Sequence, residues 1–103
     1  MENLNEKSWI EGYKTSKDAE IIDVRTPEEF SQGYIEDAKL INIQDSSVFM
    51  EEIEKLPKDK NYYVYCRSGK RSEMACQIMN KAGISNAFNL EGGILDWTGE
   101  VKK

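Results

Sequence analysis

Tyr62-Tyr63-Val64-Tyr65-Cys66-Arg67-Ser68-Gly69-Lys70-Arg71-Ser72 is the stretch from which the rest of the chain is read. Its first four residues are aromatic or β-branched and give the strongest strand signal in the sequence. Beyond Cys66 the composition changes at once to small and cationic residues, which make a short loop. A helix then begins at Lys70 or Ser72 and runs to about Ala82, with Ala75, Ile78, Met79 and Ala82 on its apolar face. Gly83 is its expected stop. A strand passing through a glycine-containing loop into a helix is half of a βαβ unit.

The same alternation continues in both directions. Upstream, Leu40-Ile41-Asn42-Ile43 reads as a strand, and Asp45, Ser46 or Ser47 caps a helix carrying Phe49, Ile53 and Leu56 before Pro57 ends it. Ile21-Ile22-Asp23-Val24 is an earlier strand. After it, Thr26-Pro27-Glu28-Glu29 carries three agreeing helix-start signals: a capping threonine, proline at the first helical position and a glutamate that completes a capping box. Gly33 keeps that helix short. Asn5 caps a helix through Tyr13 with Trp9, Ile10 and Tyr13 on its apolar side, and Lys14–Glu20 reads as a polar loop. Downstream, Ala87-Phe88-Asn89-Leu90 is the last strand, and Gly92-Gly93 turns into a short closing helix around Leu95 and Trp97. The pattern predicts one three-layer α/β domain over residues 1–103, with a mostly parallel central sheet and helices on both faces. Ligands of such sheets bind at the carboxyl ends of the strands. Asp23-Val24-Arg25, Cys66–Ser72 and Glu91-Gly92-Gly93 all fall there.

Composition narrows the chemistry. The chain has 103 residues, 14 Lys plus Arg against 19 Asp plus Glu, and a net charge of −5, which disfavours nonspecific nucleic-acid binding. No apolar run approaches the ~18–20 residues of a membrane span, and no secretory leader is visible. The count of zero histidines excludes a Ser-His-Asp triad, a Cys-His dyad and any His-ligated metal site. Cys66 and Cys76 alone cannot build the usual structural zinc cage, so neither a metal nor a cofactor is expected. Reduced thiols and a cytoplasmic location are the default expectation.

A reactive cysteine in this chain therefore needs activation without histidine. The segment 66–72 supplies the means. Two of the three arginines in the chain lie in it, with Lys70 between them and no acid among the seven residues. A short Ser/Gly loop can turn backbone N–H groups inward as an anion nest, and a following helix N-terminus adds partial positive charge. Such surroundings lower a thiol from ~8.5 to ~3.5–7.5. Cys66 is the expected nucleophile, and Arg67, Ser68, Gly69, Lys70 and Arg71 are the expected substrate-binding loop. Within it, Gly69 supplies backbone freedom, while Ser68 and Ser72 read as loop and cap residues. Asp23 and Arg25 read as a structural tie, with Glu28 or Glu29 as partner for Arg25. Trp97 is read equally as a pocket wall or a core contact. Cys76 lies ten residues on, within the helix, and five helical residues alone rise ~7.5 Å, beyond ordinary disulfide reach. It is expected to be buried and inert.

Four motifs in order resemble the rhodanese-like domains. Cys66–Ser72 resembles their active-site loop, and Ile21-Ile22-Asp23-Val24-Arg25-Thr26-Pro27-Glu28-Glu29-Phe30 resembles their early strand-and-helix motif. Gly33-Tyr34-Ile35 with Ala38 is similar to the next motif. Asn89-Leu90-Glu91-Gly92-Gly93-Ile94 with Trp97 resembles the last. Tyr34 stands where the family often has histidine, and Glu36-Asp37 replaces a common Pro-Gly, which puts the conformation of that turn in question. The resemblance implies a sulfurtransferase. Cys66 would take the outer sulfur of thiosulfate or a persulfide and pass it to cyanide, a thiol or a sulfur-accepting protein. A persulfide carrier, sensor or interaction module with little turnover is the first alternative. A cysteine phosphatase is the second. Its usual pattern places five residues between cysteine and arginine, whereas Arg71 leaves four, a tighter loop that suits attack on a single sulfur atom.

Overall fold

The computed structural model describes residues 1–103. In chain order the elements are β1 (Glu2–Leu4), α1 (Glu6–Thr15), β2 (Ala19–Asp23), α2 (Pro27–Ser31), β3 (Tyr34–Ile35), β4 (Ala38–Leu40), α3 (Ser46–Lys55), β5 (Asn61–Tyr65), α4 (Lys70–Lys81), β6 (Ala87–Leu90), a 3-10 turn (Ile94–Asp96) and β7 (Val101–Lys102). Five strands form one sheet in the order β1-β6-β5-β2-β4, and every pairing in it is parallel. β3 and β7 make a separate antiparallel pair. The sheet is thus the parallel α/β sheet that the alternation predicts, with β5 at its centre.

Period-two alternation divides the core. Tyr62, Val64 and Cys66 turn to one face with Ile22 and Val24, where they meet Phe49 and Ile53 of α3 and Ala75, Cys76 and Met79 of α4. Tyr63 and Tyr65 turn to the other face with Ile21 and Leu90, against Trp9 of α1. Trp9 is fully buried and meets the edges of Tyr63, Tyr65 and Trp97 at centroid distances of 5.9, 6.1 and 5.9 Å. Each fully buried aliphatic or aromatic side chain is worth ~1.5–3 kcal/mol of transfer free energy. Both helical layers are therefore held by side chains of the one central strand, whose carboxyl end leads straight into the cysteine loop.

Local signals act as expected at most helix starts. Asn5 accepts a hydrogen bond from the Ser8 N–H at 2.8 Å. Thr26 and Glu29 form the full capping box. α3 begins at Ser46 with Asp45 before it, although the Asp45 side chain makes no capping bond. Several elements differ from the sequence reading. β2 begins at Ala19, inside the segment read as loop, because Ala19 and Glu20 pair with Asn61 and Tyr62. β4 covers Ala38–Leu40 rather than Leu40–Ile43. Asn42 bends the chain away by accepting from the Gln44 N–H, although the Ile41 and Ile43 N–H groups still reach carbonyls of Asp23 and Val24. The closing helix is a single 3-10 turn. β1 is a polar edge strand of three residues, too short to show a pattern. Asp37 takes a left-handed φ of 73°, so the Glu36-Asp37 turn adopts the conformation in which a glycine is usual.

Candidate active site

Cys66 sits one residue past β5 and is fully buried. The loop after it folds back on its sulfur. The Gly69 N–H donates to Cys66 Sγ at 3.1 Å, and Ser72 Oγ lies 3.3 Å from the same atom. Burial pushes the Cys66 thiol up. The Ser72 hydroxyl and the N–H groups of Ser72, Gly69 and Ser68 outweigh that cost, so its pKa lies below the ordinary cysteine value. These are the anion nest and helix N-terminus anticipated from the sequence. Arg67 and Arg71 are not among the groups that favour the thiolate most. Arg71 responds to Glu29 first and to the Cys66 thiolate only in lesser degree.

The loop holds this shape because its neighbours leave it no alternative. Gly69 has φ 99°, and a side chain there would press on the backbone of Leu90 and Gly92. Gly93 has φ 62°, and a Cβ would lie 2.4 Å from the Arg67 carbonyl oxygen and 2.7 Å from that of Cys66. That approach lets the Ile94 and Leu95 N–H groups donate to the Cys66 and Arg67 carbonyls, both at 2.9 Å. Glu91-Gly92-Gly93 thus shapes a turn against the cysteine loop. Asn89 braces the other side. Its Nδ2 donates to the Gly69 carbonyl at 3.0 Å and to Asn3 Oδ1 at 2.8 Å, while its Oδ1 accepts from Ser72 Oγ.

The expected binding residues divide by exposure. Arg67, Ser68 and Lys70 are exposed, Gly69 is buried and Arg71 is partly buried. Arg71 forms a two-pronged bridge to Glu29 of α2, with Nη1–Oε1 at 2.8 Å and Nη2–Oε2 at 2.9 Å. Through that bridge, helped by the Thr26 N–H, the Glu29 carboxyl falls to about 2. Arg25 pairs with Asp23 rather than with Glu28 or Glu29, its Nη2 lying 2.7 Å from Asp23 Oδ2, and also donates to the Gly33 carbonyl. The sequence reading had the tie right and the partner wrong, because Glu29 is already committed to Arg71. Trp97 packs on Trp9 as a core contact. Cys76 is buried among α4 and sheet side chains, unbonded to Cys66, and burial pushes its thiol up to about 12.

Three contributors escaped the sequence reading. Ser72 is neither cap nor bystander: Gly69 occupies the cap position and Ser72 lies in the first turn of α4, facing the sulfur. Asn89 had a visible signal, being an amide inside an apolar strand. Glu29 had none, since its capping role already explained it.

A family model described as Rhodanese-like domain matches residues 6–100. The chain belongs to that family. It is 35% identical over 97 residues to a sulfurtransferase of Allochromatium vinosum, covering 94% of this chain and 88% of that protein. It is 38% identical to the putative sulfurtransferase YtwF of Bacillus subtilis, covering 99% and 95% of the two chains. The crystal structure of a rhodanese-like domain protein from Staphylococcus aureus superposes with a TM-score of 0.83 at 32% identity, covering 99% and 97%. No helix of the chain is long and apolar enough to cross a membrane.

Proposed function

We propose that the protein is a rhodanese-type sulfurtransferase that carries sulfane sulfur as a Cys66 persulfide, with thiosulfate as one usable donor. The observation that carries this reading is the convergence of a hydroxyl and loop N–H groups on one sulfur at the carboxyl end of the central strand. The Cys66 thiolate attacks the outer sulfur of the donor. A new S–S bond forms, the donor S–S bond breaks, and sulfite leaves with the electron pair. The persulfide then gives its outer sulfur to cyanide, a thiol or a sulfur-accepting protein, and the pair from the cleaved bond returns to Cys66. No proton transfer is needed in the first step, which suits a chain without histidine. The nest that favours the thiolate also stabilises the terminal sulfur of the persulfide. Arg67, Ser68, Gly69, Lys70 and Arg71 form the donor-facing loop in this reading.

Intact mass spectrometry after exposure to thiosulfate tests it. One sulfur atom should be gained and then lost on adding cyanide. Cys66→Ser should abolish the gain, and Cys76→Ser should leave most of it. Equal loss in two folded variants would overturn the assignment of Cys66.

A further inference from the structure

The three arginines of the chain all stand beside the cysteine loop, yet they do not reach a ligand as three charges. A cavity of about 350 Å³ borders the loop at Arg67, with Arg25, Glu29, Ile94, Leu95 and Val101 also in its wall. Asp23 neutralises Arg25 through a buried bridge. Glu29 lines the cavity, while the guanidinium it holds, that of Arg71, does not. Arg67 is exposed and forms no ion pair, so it is the one uncompensated cation in that wall. Beside it, Leu95, whose N–H donates to the Arg67 carbonyl, and Val101 give the same wall an apolar rim, 60% and 40% exposed.

We infer that Glu29 is a specificity-determining residue. By binding Arg71 with both oxygens and placing its own carboxylate in the cavity wall, it leaves a site with one free guanidinium and an apolar edge. That site selects sulfane-sulfur donors with a single negative charge and an apolar substituent over small dianions. The inference rests on the sulfurtransferase reading and deepens it. Two donors with the same transferable atom separate the classes. Thiosulfate is a dianion, and attack on its outer sulfur releases sulfite. Benzenethiosulfonate is a monoanion with an aromatic ring, and the same attack releases benzenesulfinate. In both cases the thiolate becomes a persulfide and the leaving group departs with the electrons of the cleaved S–S bond. The nucleophile is common to both, so the ratio of their kcat/KM values cancels any change in Cys66 reactivity.

The test measures that ratio, thiosulfate over benzenethiosulfonate, with cyanide as acceptor in the full chain. Glu29→Gln keeps a capping box, since glutamine serves at that position, and removes the charge. It should raise the ratio about fivefold or more, chiefly through the KM for thiosulfate, and steepen the fall of thiosulfate kcat/KM with salt. Arg71→Gln strands the Glu29 carboxylate at the cavity and should lower the ratio. The double variant removes a neutral pair and should return within about twofold of wild type. An unmoved ratio in both single variants, or a double variant that keeps the Glu29→Gln value, overturns the inference. If the wild-type protein acquires no persulfide from either donor, the sulfurtransferase reading itself fails. If it acquires one while the ratio stays fixed, only the role of Glu29 fails.

Discussion

Ser72 has one hydroxyl proton and two acceptors in reach, Cys66 Sγ and Asn89 Oδ1. With the thiol protonated, the hydroxyl can serve Asn89 and accept from the S–H. Once the thiolate forms, the same proton is better placed on sulfur, because a charged acceptor strengthens the bond. Ser72→Ala removes that choice and leaves the backbone N–H groups in place. The Cys66 pKa should rise, with part of the depression kept by the N–H groups of Ser68, Gly69 and residue 72. The measurement is the pH dependence of alkylation at Cys66. A profile identical to wild type would show that the backbone alone favours the thiolate. Sequence reading reaches furthest where chemistry is local. Cys66 stands out as the proposed nucleophile because cations, serines and a glycine surround it within seven positions. Asn89 and Glu29 were passed over because their side-chain partners beyond the capping box lie 17 to 86 residues away, where spacing carries no message.

At the scale of elements, the site is a loop pinned between a strand end and a turn from another strand. β5 delivers Cys66, α4 begins at Lys70, and the turn after β6 supplies the Ile94 and Leu95 N–H groups that hold the Cys66 and Arg67 carbonyls. Gly93 is the point of closest approach. In Gly93→Ala the new methyl would meet two backbone carbonyls, neither of which can swing aside like a flexible side chain. The loop and the turn must separate, and the hydrogen bonds on Cys66 Sγ loosen with them. Sulfur transfer should fall at least tenfold, with a stability loss of about 1–3 kcal/mol. Urea unfolding and donor kcat/KM on the same preparation check this. Full activity would mean that the turn does not shape the loop. Element order, the capping box and the central strand were legible because each rests on contiguous residues. β1, β3 and β7 were not. They have two or three residues each and owe their strand geometry to partners far along the chain.

Across the whole molecule, charge is sorted rather than spread. The net charge is −5, yet all three arginines stand beside one loop, two of them tied to carboxylates. The Glu29–Arg71 bridge joins α2 to α4 beside the cysteine loop, so it belongs to the stability of the fold as well as to the proposed site. Glu29 ionises at about 2 in the folded protein against 4.5 ordinarily, the Arg71 hydrogen bonds being the largest cause. A carboxylate depressed on folding stabilises the protein fully above its unfolded value, and that contribution is lost as pH falls from 4.5 towards about 2. The side chains are 28% and 26% exposed, so solvent screens the pair and the contribution is on the order of 1 kcal/mol. Wild type and Glu29→Gln should therefore differ by about that amount in urea unfolding at pH 6, and the gap should narrow as pH falls below 4.5 and close only below about 2, where protonation does to wild type what the substitution does at neutral pH. Other carboxylates titrate over the same interval and lower both curves together, which the difference between the proteins removes. A gap as large at pH 2.5 as at pH 6 would assign the stabilisation to the shape of the Glu29 side chain in its capping box, not to its charge.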